Sequence, residues 1–221
     1  MILNGFCIHS ESFDNNIIKY IMVLIRIIRH SERLDFANPF VWLFYFGHYW
    51  ADSPLTINGH KNADLKGKEL ISNTFNPKYI YTSPYNRTLE TSIEIKKSFP
   101  MAEIVIEPLL SEYQGYYQHK ISLYPEGIPT TYEGMDTEFS YPESYEDFSK
   151  RVQFIIQKLI EKKMDLIVVT HGELLRSLIN YLQNIYSSIE IDPGMTPYLT
   201  VLSFEYDIES GQIIESSIKL D

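Results

Sequence analysis

Residues 22–33 read MVLIRIIRHSER, and the first eight of them decide the fold. Met22 to Arg29 is mostly apolar and rich in β-branched residues, with no Gly or Pro, so it reads as a buried strand. Working outward, Asp165 to Thr170 (DLIVVT) is a second such strand, and Tyr79–Thr82 and Ala102–Glu107 are shorter ones, the last stopped by Pro108. Helical stretches lie between them. Gly59–Asn73 is led in by Thr56 as its N-cap, and Asn86–Ser98 is ended by Pro100. Tyr145–Lys163 carries Phe148, Val152, Ile155, Ile156, Leu159 and Ile160 on one face, and Glu173–Gln183 follows the last apolar strand. Leu199–Tyr206 and Gln212–Lys219, joined through Glu209-Ser210-Gly211, read as a closing hairpin. Strands alternating with helices of this length predict an α/β fold, a three-layer αβα arrangement with a mainly parallel central sheet.

Two regions fit this scheme less directly. Residues 113–142 have no periodicity and contain Pro125, Pro129, Pro142, Gly115, Gly127 and Gly134. A stretch so long and irregular is of the kind that carries function. Residues 1–21 are an N-terminal extension of uncertain structure, either an appendage before a start at Met22 or an extra element on the sheet edge, and the main domain is expected over 22–221. The chain has no repeats and no low-complexity tract.

Composition narrows the function. The chain is 221 residues long and 44% hydrophobic, enough for one domain with a sizeable core. A formal net charge of −10 repels a polyanionic backbone, so no nucleic-acid partner is expected. A small phosphorylated substrate responds to local charge instead. The single cysteine, Cys7, allows no internal disulfide and suits a reducing compartment. The apolar run Ile17–Ile28 contains Lys19 and Arg26 and is too short to span a bilayer. The expectation is a cytoplasmic protein with no membrane partner. Its oligomeric state is open, a dimer included.

In a parallel sheet the ligand sits beyond the carboxyl ends of the strands. Arg29, His30, Ser31, Glu32 and Arg33 close the first strand; Ser83, Pro84 and Arg87 follow the second; Ser111 and Glu112 follow the third; His171 and Gly172 follow the last parallel strand. Three of the six arginines stand in this set. Arginine's planar fork matches phosphate oxygens and stays charged. A neutral histidine nitrogen can attack phosphorus when the other ring nitrogen is tied to a carbonyl, and a carboxylic acid can protonate the leaving oxygen. A phosphomonoester is the substrate that gives each residue type a task.

The sequence resembles the histidine phosphatase superfamily, the phosphoglycerate-mutase-like fold. The resemblance rests on Arg29-His30-Ser31-Glu32-Arg33, on Leu55-Thr56 with Gly59 and Ala63, on Ser83-Pro84 with Arg87 and Thr91, on Glu107-Pro108 with Glu112, and on Thr170-His171-Gly172. It covers roughly residues 23–206. The Arg-His-x-Glu-Arg-x-Asp form and Pro197-Tyr198-Leu199 are most similar to the branch of ecdysteroid-phosphate phosphatase and the ubiquitin-associated, SH3-containing phosphatases. The resemblance implies His30 as nucleophile through a phosphohistidine, Glu112 as proton donor, and Arg29, Arg33, Arg87 and His171 as the phosphate pocket. It implies no metal and no cofactor. Ser31 departs from the family's usual glycine, which raises the prospect of backbone strain.

Three functions follow in order of expectation: a phosphatase for a small phosphorylated substrate or a phosphoprotein, with aryl, apolar or phosphotyrosine esters to the fore; a phosphoglycerate-type mutase; and a weakly active phosphate-binding protein. Arg33 and Asp35 replace the start typical of mutases, and Lys120 is the one Lys or Arg within 113–142. The aromatic segment Phe36–Trp50 is either a wall for an apolar leaving group or an element packed on the core. Glu103, Glu107 and Glu126 compete with Glu112 for the acid's place, and Arg176, His48, His60 and His119 read as surface or loop residues.

Overall fold

Met22–Arg29 forms the strand β1 expected of it, with Ile25, Ile27 and Ile28 removed from solvent. The structure, a computed structural model, describes residues 22–45, 52–114, 130–132, 142–187, 189–192, 194 and 196–221. The extension over 1–21 lies outside these. Around β1 the described residues form an eight-stranded sheet. Its other strands are β2 (Tyr79–Thr82), β3 (Glu103–Ile106), β4 (Thr130–Tyr132), β5 (Leu166–Thr170), β6 (Val201–Asp207), β7 (Gln212–Ile213) and β8 (Lys219–Leu220). The order is β4-β3-β2-β5-β1-β6-β7, with β8 also pairing to β6. All pairs from β4 to β1 are parallel, and those that β6 makes are antiparallel. The sheet is therefore mixed rather than uniformly parallel: after β5 the chain passes through the helix Gly172–Ile185 and returns as β6, antiparallel to β1.

Neighbouring residues of β1 face opposite layers, as a pleat requires. Ile28 joins Ile80, Ile104 and Val169 beneath helices α3 (Ile57–Glu69) and α4 (Asn86–Lys96). Ile27 joins Val105 and Val168 beneath α5 (Tyr145–Ile160) and α6 (Gly172–Ile185). The expected stripe of α5 is the buried one. Thr56 accepts a hydrogen bond from Gly59 N at 2.8 Å, the expected N-cap, of a type worth about 1 kcal/mol. Gly59 is fixed by contact: a Cβ there would lie 2.4 Å from the Glu32 carbonyl oxygen. That approach holds α3 against the loop after β1.

Three local readings change. The aromatic segment begins with two short helices, α1 (Leu34–Ala37) and α2 (Pro39–Tyr45), and its last residues lie outside the described ones. Trp42 packs inward, while Phe36, Phe40 and Phe44 are at least 70% exposed. The irregular stretch contains β4, a short strand that exists by pairing with β3. The expected second hairpin arm is broken by a 3₁₀ turn at Glu215–Ser217, so β7 and β8 pair with β6 separately. Among the described residues no helix is long and apolar enough to cross a membrane.

Candidate active site

Backbone hydrogen bonds carry the sheet one residue past its strand ends. His30 N donates to Thr170 O at 2.9 Å, Ser83 N to Val169 O at 3.1 Å, and Glu107 N to Thr82 O at 2.9 Å. The residues after β1, β2, β3 and β5 are thus held at one edge by the sheet itself.

His30 is 1% exposed. Its Nδ1 lies 2.8 Å from the Ser31 carbonyl, which can only accept, so Nδ1 carries the proton and Nε2 keeps its lone pair. Burial pushes the imidazole well below the usual histidine range, and the nearby charges of Arg87, Arg29 and Arg33 push the same way. His30 is therefore neutral at pH 7. The His171 ring stands edge-on to it at 5.4 Å, and the Tyr198 ring is tilted against it at 5.6 Å.

Ser31 carries no strain. Among the described residues the positive φ values belong to Lys163, Leu199 and Gly211, not to Ser31. Its hydroxyl donates to Gly59 O at 2.7 Å, and its N–H donates to Thr91 Oγ1 at 3.0 Å. The serine ties β1's loop to both helices on that face. Left-handed backbone occurs instead at Leu199, whose φ of 62° costs about 1–2 kcal/mol, next to Tyr198, which packs on His30 and Arg29.

Each arginine is oriented by a different neighbour. Arg29 donates to Thr196 O and stacks on Tyr198 at 4.6 Å, and a Cβ on Gly172 would come within 3.1 Å of its Nε. Arg33 forms a two-pronged pair with Asp35 at 2.7 and 2.5 Å and lies 4.4 Å over Phe36. Arg87 is buried over Tyr85, with the Asp52 carboxylate 3.9 Å away. Asp52 is itself held by Asn86 N at 2.6 Å.

His171 is fully buried and pushed well below the usual range, first by burial and then by Arg87. Its Nε2 lies 2.7 Å from Ser83 Oγ and its Nδ1 lies 3.5 Å from Glu112 Oε2. A serine hydroxyl donating to Nε2 would put the ring proton on Nδ1, on the side of Glu112. Burial raises the Glu112 carboxyl above the usual carboxylate range, and the arginines only partly offset this. Arg29 Nε, His171 Nδ1 and Glu112 Oε1 are all buried without a hydrogen-bond partner among the described residues. Buried polar atoms left unpaired around one point are the mark of a site that a polar ligand completes.

All six expected residues thus gather at one sheet edge. Two of their rivals are elsewhere: Glu107 caps the turn Pro108–Leu110 and pairs with Lys158 at 3.0 Å, and His60 on α3 lies beside Glu90 and Glu94 of α4, while Glu126, His48 and His119 lie outside the described residues. Sequence reasoning assigned no role to Asp52, Tyr85 or Arg151. Of these, Arg151 could have been noticed, as a charge three residues past Phe148 on the apolar face of α5.

A mixed sheet between paired helices, with a basic, histidine-containing pocket at its carboxyl edge, places the protein among the phosphoglycerate-mutase-like folds. Solved structures share that fold: ecdysone phosphate phosphatase from Bombyx mori in complex with tungstate, with a TM-score of 0.62 at 18% identity over 89% of this chain and 93% of that one. Phosphoglycerate mutase from Bacillus anthracis gives 0.60 at 21% identity, over 88% and 91%. The sequence model of the histidine phosphatase superfamily (branch 1) matches residues 27–216, and the chain belongs to that family. An uncharacterised phosphoglycerate mutase family protein of Acanthamoeba polyphaga mimivirus is 58% identical over 90% of this chain and 98% of its own. Ecdysteroid-phosphate phosphatase of Drosophila melanogaster is 28% identical over 67% of this chain, which spans 25% of that longer protein. Phosphatase or mutase-like phosphoryl chemistry comes with the family.

The Ser83 contact makes one expectation. Ser83→Ala removes the partner that sets the His171 tautomer and should lower kcat about 10-fold, the low end for orienting partners of this kind, with the fold unchanged by circular dichroism. An unaltered kcat would mean that the tautomer is set otherwise.

Proposed function

We propose that this chain is a phosphomonoester phosphatase that works through a phosphohistidine on His30, with Glu112 as proton donor. The observation that carries the reading is the state of His30: buried, neutral, protonated on Nδ1 through the Ser31 carbonyl, and within reach of three guanidinium charges. In the first step Nε2 attacks phosphorus as the ester oxygen leaves. Arg29, Arg33, Arg87 and the Nδ1–H of His171 neutralise charge on the non-bridging oxygens, where fixed donors in a dry pocket are most effective. Glu112, whose burial favours the protonated form, gives its proton to the departing oxygen. As a carboxylate it then takes a proton from the water that releases phosphate from His30. No step of this scheme calls on a metal ion.

An aryl, apolar or phosphotyrosine ester is the substrate that the entrance suits. Phe36 lies under Arg33 at the phosphate pocket and is exposed, as are Phe40 and Phe44 on the short helix that follows. A sequence relative is named for an ecdysteroid phosphate. Hydrolysis is favoured over mutase action by Arg33 and Asp35, whose mutual pairing fills the place next to the nucleophile with charge.

The test is a panel assayed with chelator present: p-nitrophenyl phosphate, a phosphotyrosine peptide, a steroid phosphate, a sugar phosphate, and 3-phosphoglycerate with bisphosphoglycerate. The expected result is phosphate release, with kcat/KM for the aryl and steroid esters about 10-fold or more above the sugar phosphate, the gain of one or two aromatic contacts. Isomerisation of phosphoglycerate without phosphate release, or loss of activity to the chelator, would contradict the reading.

A further inference from the structure

The best-bonded charge in the described protein lies outside the phosphate pocket. Arg151, two turns into α5, is fully buried, and all five of its N–H donors are matched. Nε donates to Glu143 Oε2 at 2.9 Å, and Nη2 donates to Glu143 Oε1 at 2.6 Å and to Glu112 O at 3.4 Å. Nη1 donates to Leu109 O at 2.5 Å and to Ser111 O at 3.0 Å. Glu143 extends the arrangement: its Oε1 accepts from Gln114 N at 2.9 Å, and its own N–H donates to Gln114 O at 2.9 Å. The backbone on both sides of Glu112 is therefore bound, directly or through one carboxylate, to a single guanidinium.

A buried ion pair is poorly explained by stability, because desolvating both charges cancels most of their attraction. What it does supply is fixed geometry. Leu109 to Gln114 has only one short 3₁₀ turn of its own, Pro108–Leu110, and no strand or α-helix to hold the carboxylate after it. A proton donor displaced by about 1 Å loses much of its effect.

We propose that Arg151, braced by Glu143, is the positioning residue for the proton donor Glu112. The inference rests on the phosphatase reading, in which Glu112 protonates the leaving group. Lysine keeps the charge but has three donors on a flexible stem, so Arg151→Lys cannot hold three carbonyls and a carboxylate together.

The test compares kcat/KM for p-nitrophenyl phosphate, whose leaving group needs no proton, with an alkyl phosphate, whose leaving group does. Glu112→Gln serves as reference. In Arg151→Lys the alkyl ester should lose about 100-fold and p-nitrophenyl phosphate less than about 5-fold, and the double variant with Glu112→Gln should lose no more than Glu112→Gln alone. Should the lysine variant fail to fold, Glu143→Met with Arg151→Met removes both charges together and takes its place in the same comparison. Equal losses on both esters, or a double variant with additive losses, would reduce Arg151 to a general structural role. If Glu112→Gln itself failed to distinguish the esters, the fault would lie with Glu112 as acid, and the inference would fall with it. A selective Glu112→Gln beside an unselective Arg151→Lys would overturn the inference alone.

Discussion

His30→Ala is expected to leave a folded protein with p-nitrophenyl phosphate turnover reduced by roughly 10⁴-fold or more, the scale seen when a covalent nucleophile is removed. The magnitude follows from what is lost. Water must then attack phosphorus directly, and the gain from a preplaced nitrogen and from splitting one hard step into two disappears. The fold should survive. The imidazole's hydrogen bond goes to the carbonyl of its own neighbour, Ser31, and such a bond contributes about 1 kcal/mol net. The strand beneath is held by its own ladders to β5 and β6. Phosphate binding should persist, because Arg29, Arg33 and Arg87 remain. Near-normal turnover in a well-folded variant would remove His30 from the reaction.

Glu112→Gln should show the second-largest effect, and an uneven one. For an alkyl phosphate the loss in kcat/KM should reach about 10³-fold, within the range general acids supply. For p-nitrophenyl phosphate kcat/KM should change little. Its kcat should still fall, because the carboxylate that activates water for the second step is gone, and a burst of p-nitrophenol should appear. The pH profile gives an independent check. His30 must be neutral, so activity falls on the acid side as pH drops through its pKa, which lies well below 6.5. Glu112 must be protonated in the first step, so alkyl-ester activity falls on the alkaline side as pH rises through its raised pKa. In Glu112→Gln the alkaline limb should vanish and the acid limb remain. A flat loss across both esters, with both limbs intact, would assign the proton to another group.

The same shifts bear on stability. A histidine kept neutral by the fold binds its proton less readily than in the unfolded chain. His30 and His171 therefore make the protein less stable as pH falls below about 6.5, by up to about 1.4 kcal/mol per unit for each.

The parts of this protein legible in its sequence are those whose pattern is local. β1 is mostly apolar and β-branched, β5 is an apolar run ending in Thr170, and α5 has an apolar stripe, so their type follows from local pattern alone. The candidate phosphate-binding residues were legible because each lies at or shortly after the end of a strand, where parallel topology brings distant segments together. β4 was not: Thr130–Tyr132 has no distinguishing pattern and is a strand only through β3. The reversal into β6 was not either, since a hairpin-like sequence leaves open which strand it will pair with. In α1 and α2 aromatic residues occur on both faces, so the inward turn of Trp42 beside the exposed Phe40 and Phe44 leaves no contrast to read. Asp52 and Arg87 are joined by tertiary packing alone. The spacing from Phe148 puts Arg151 on the apolar face of α5, but only the carbonyls of Leu109, Ser111 and Glu112 reveal what it binds there.

The central claim concerns one nitrogen, His30 Nε2. Rapid-quench mixing of Glu112→Gln with p-nitrophenyl phosphate, followed by alkaline digestion and mass spectrometry, reads it directly. The account predicts one phosphoryl group per chain, stable to alkali, labile to acid, and located on His30. A chain that turns over substrate with no phosphoryl group on it, or with the group on any other residue, would contradict it.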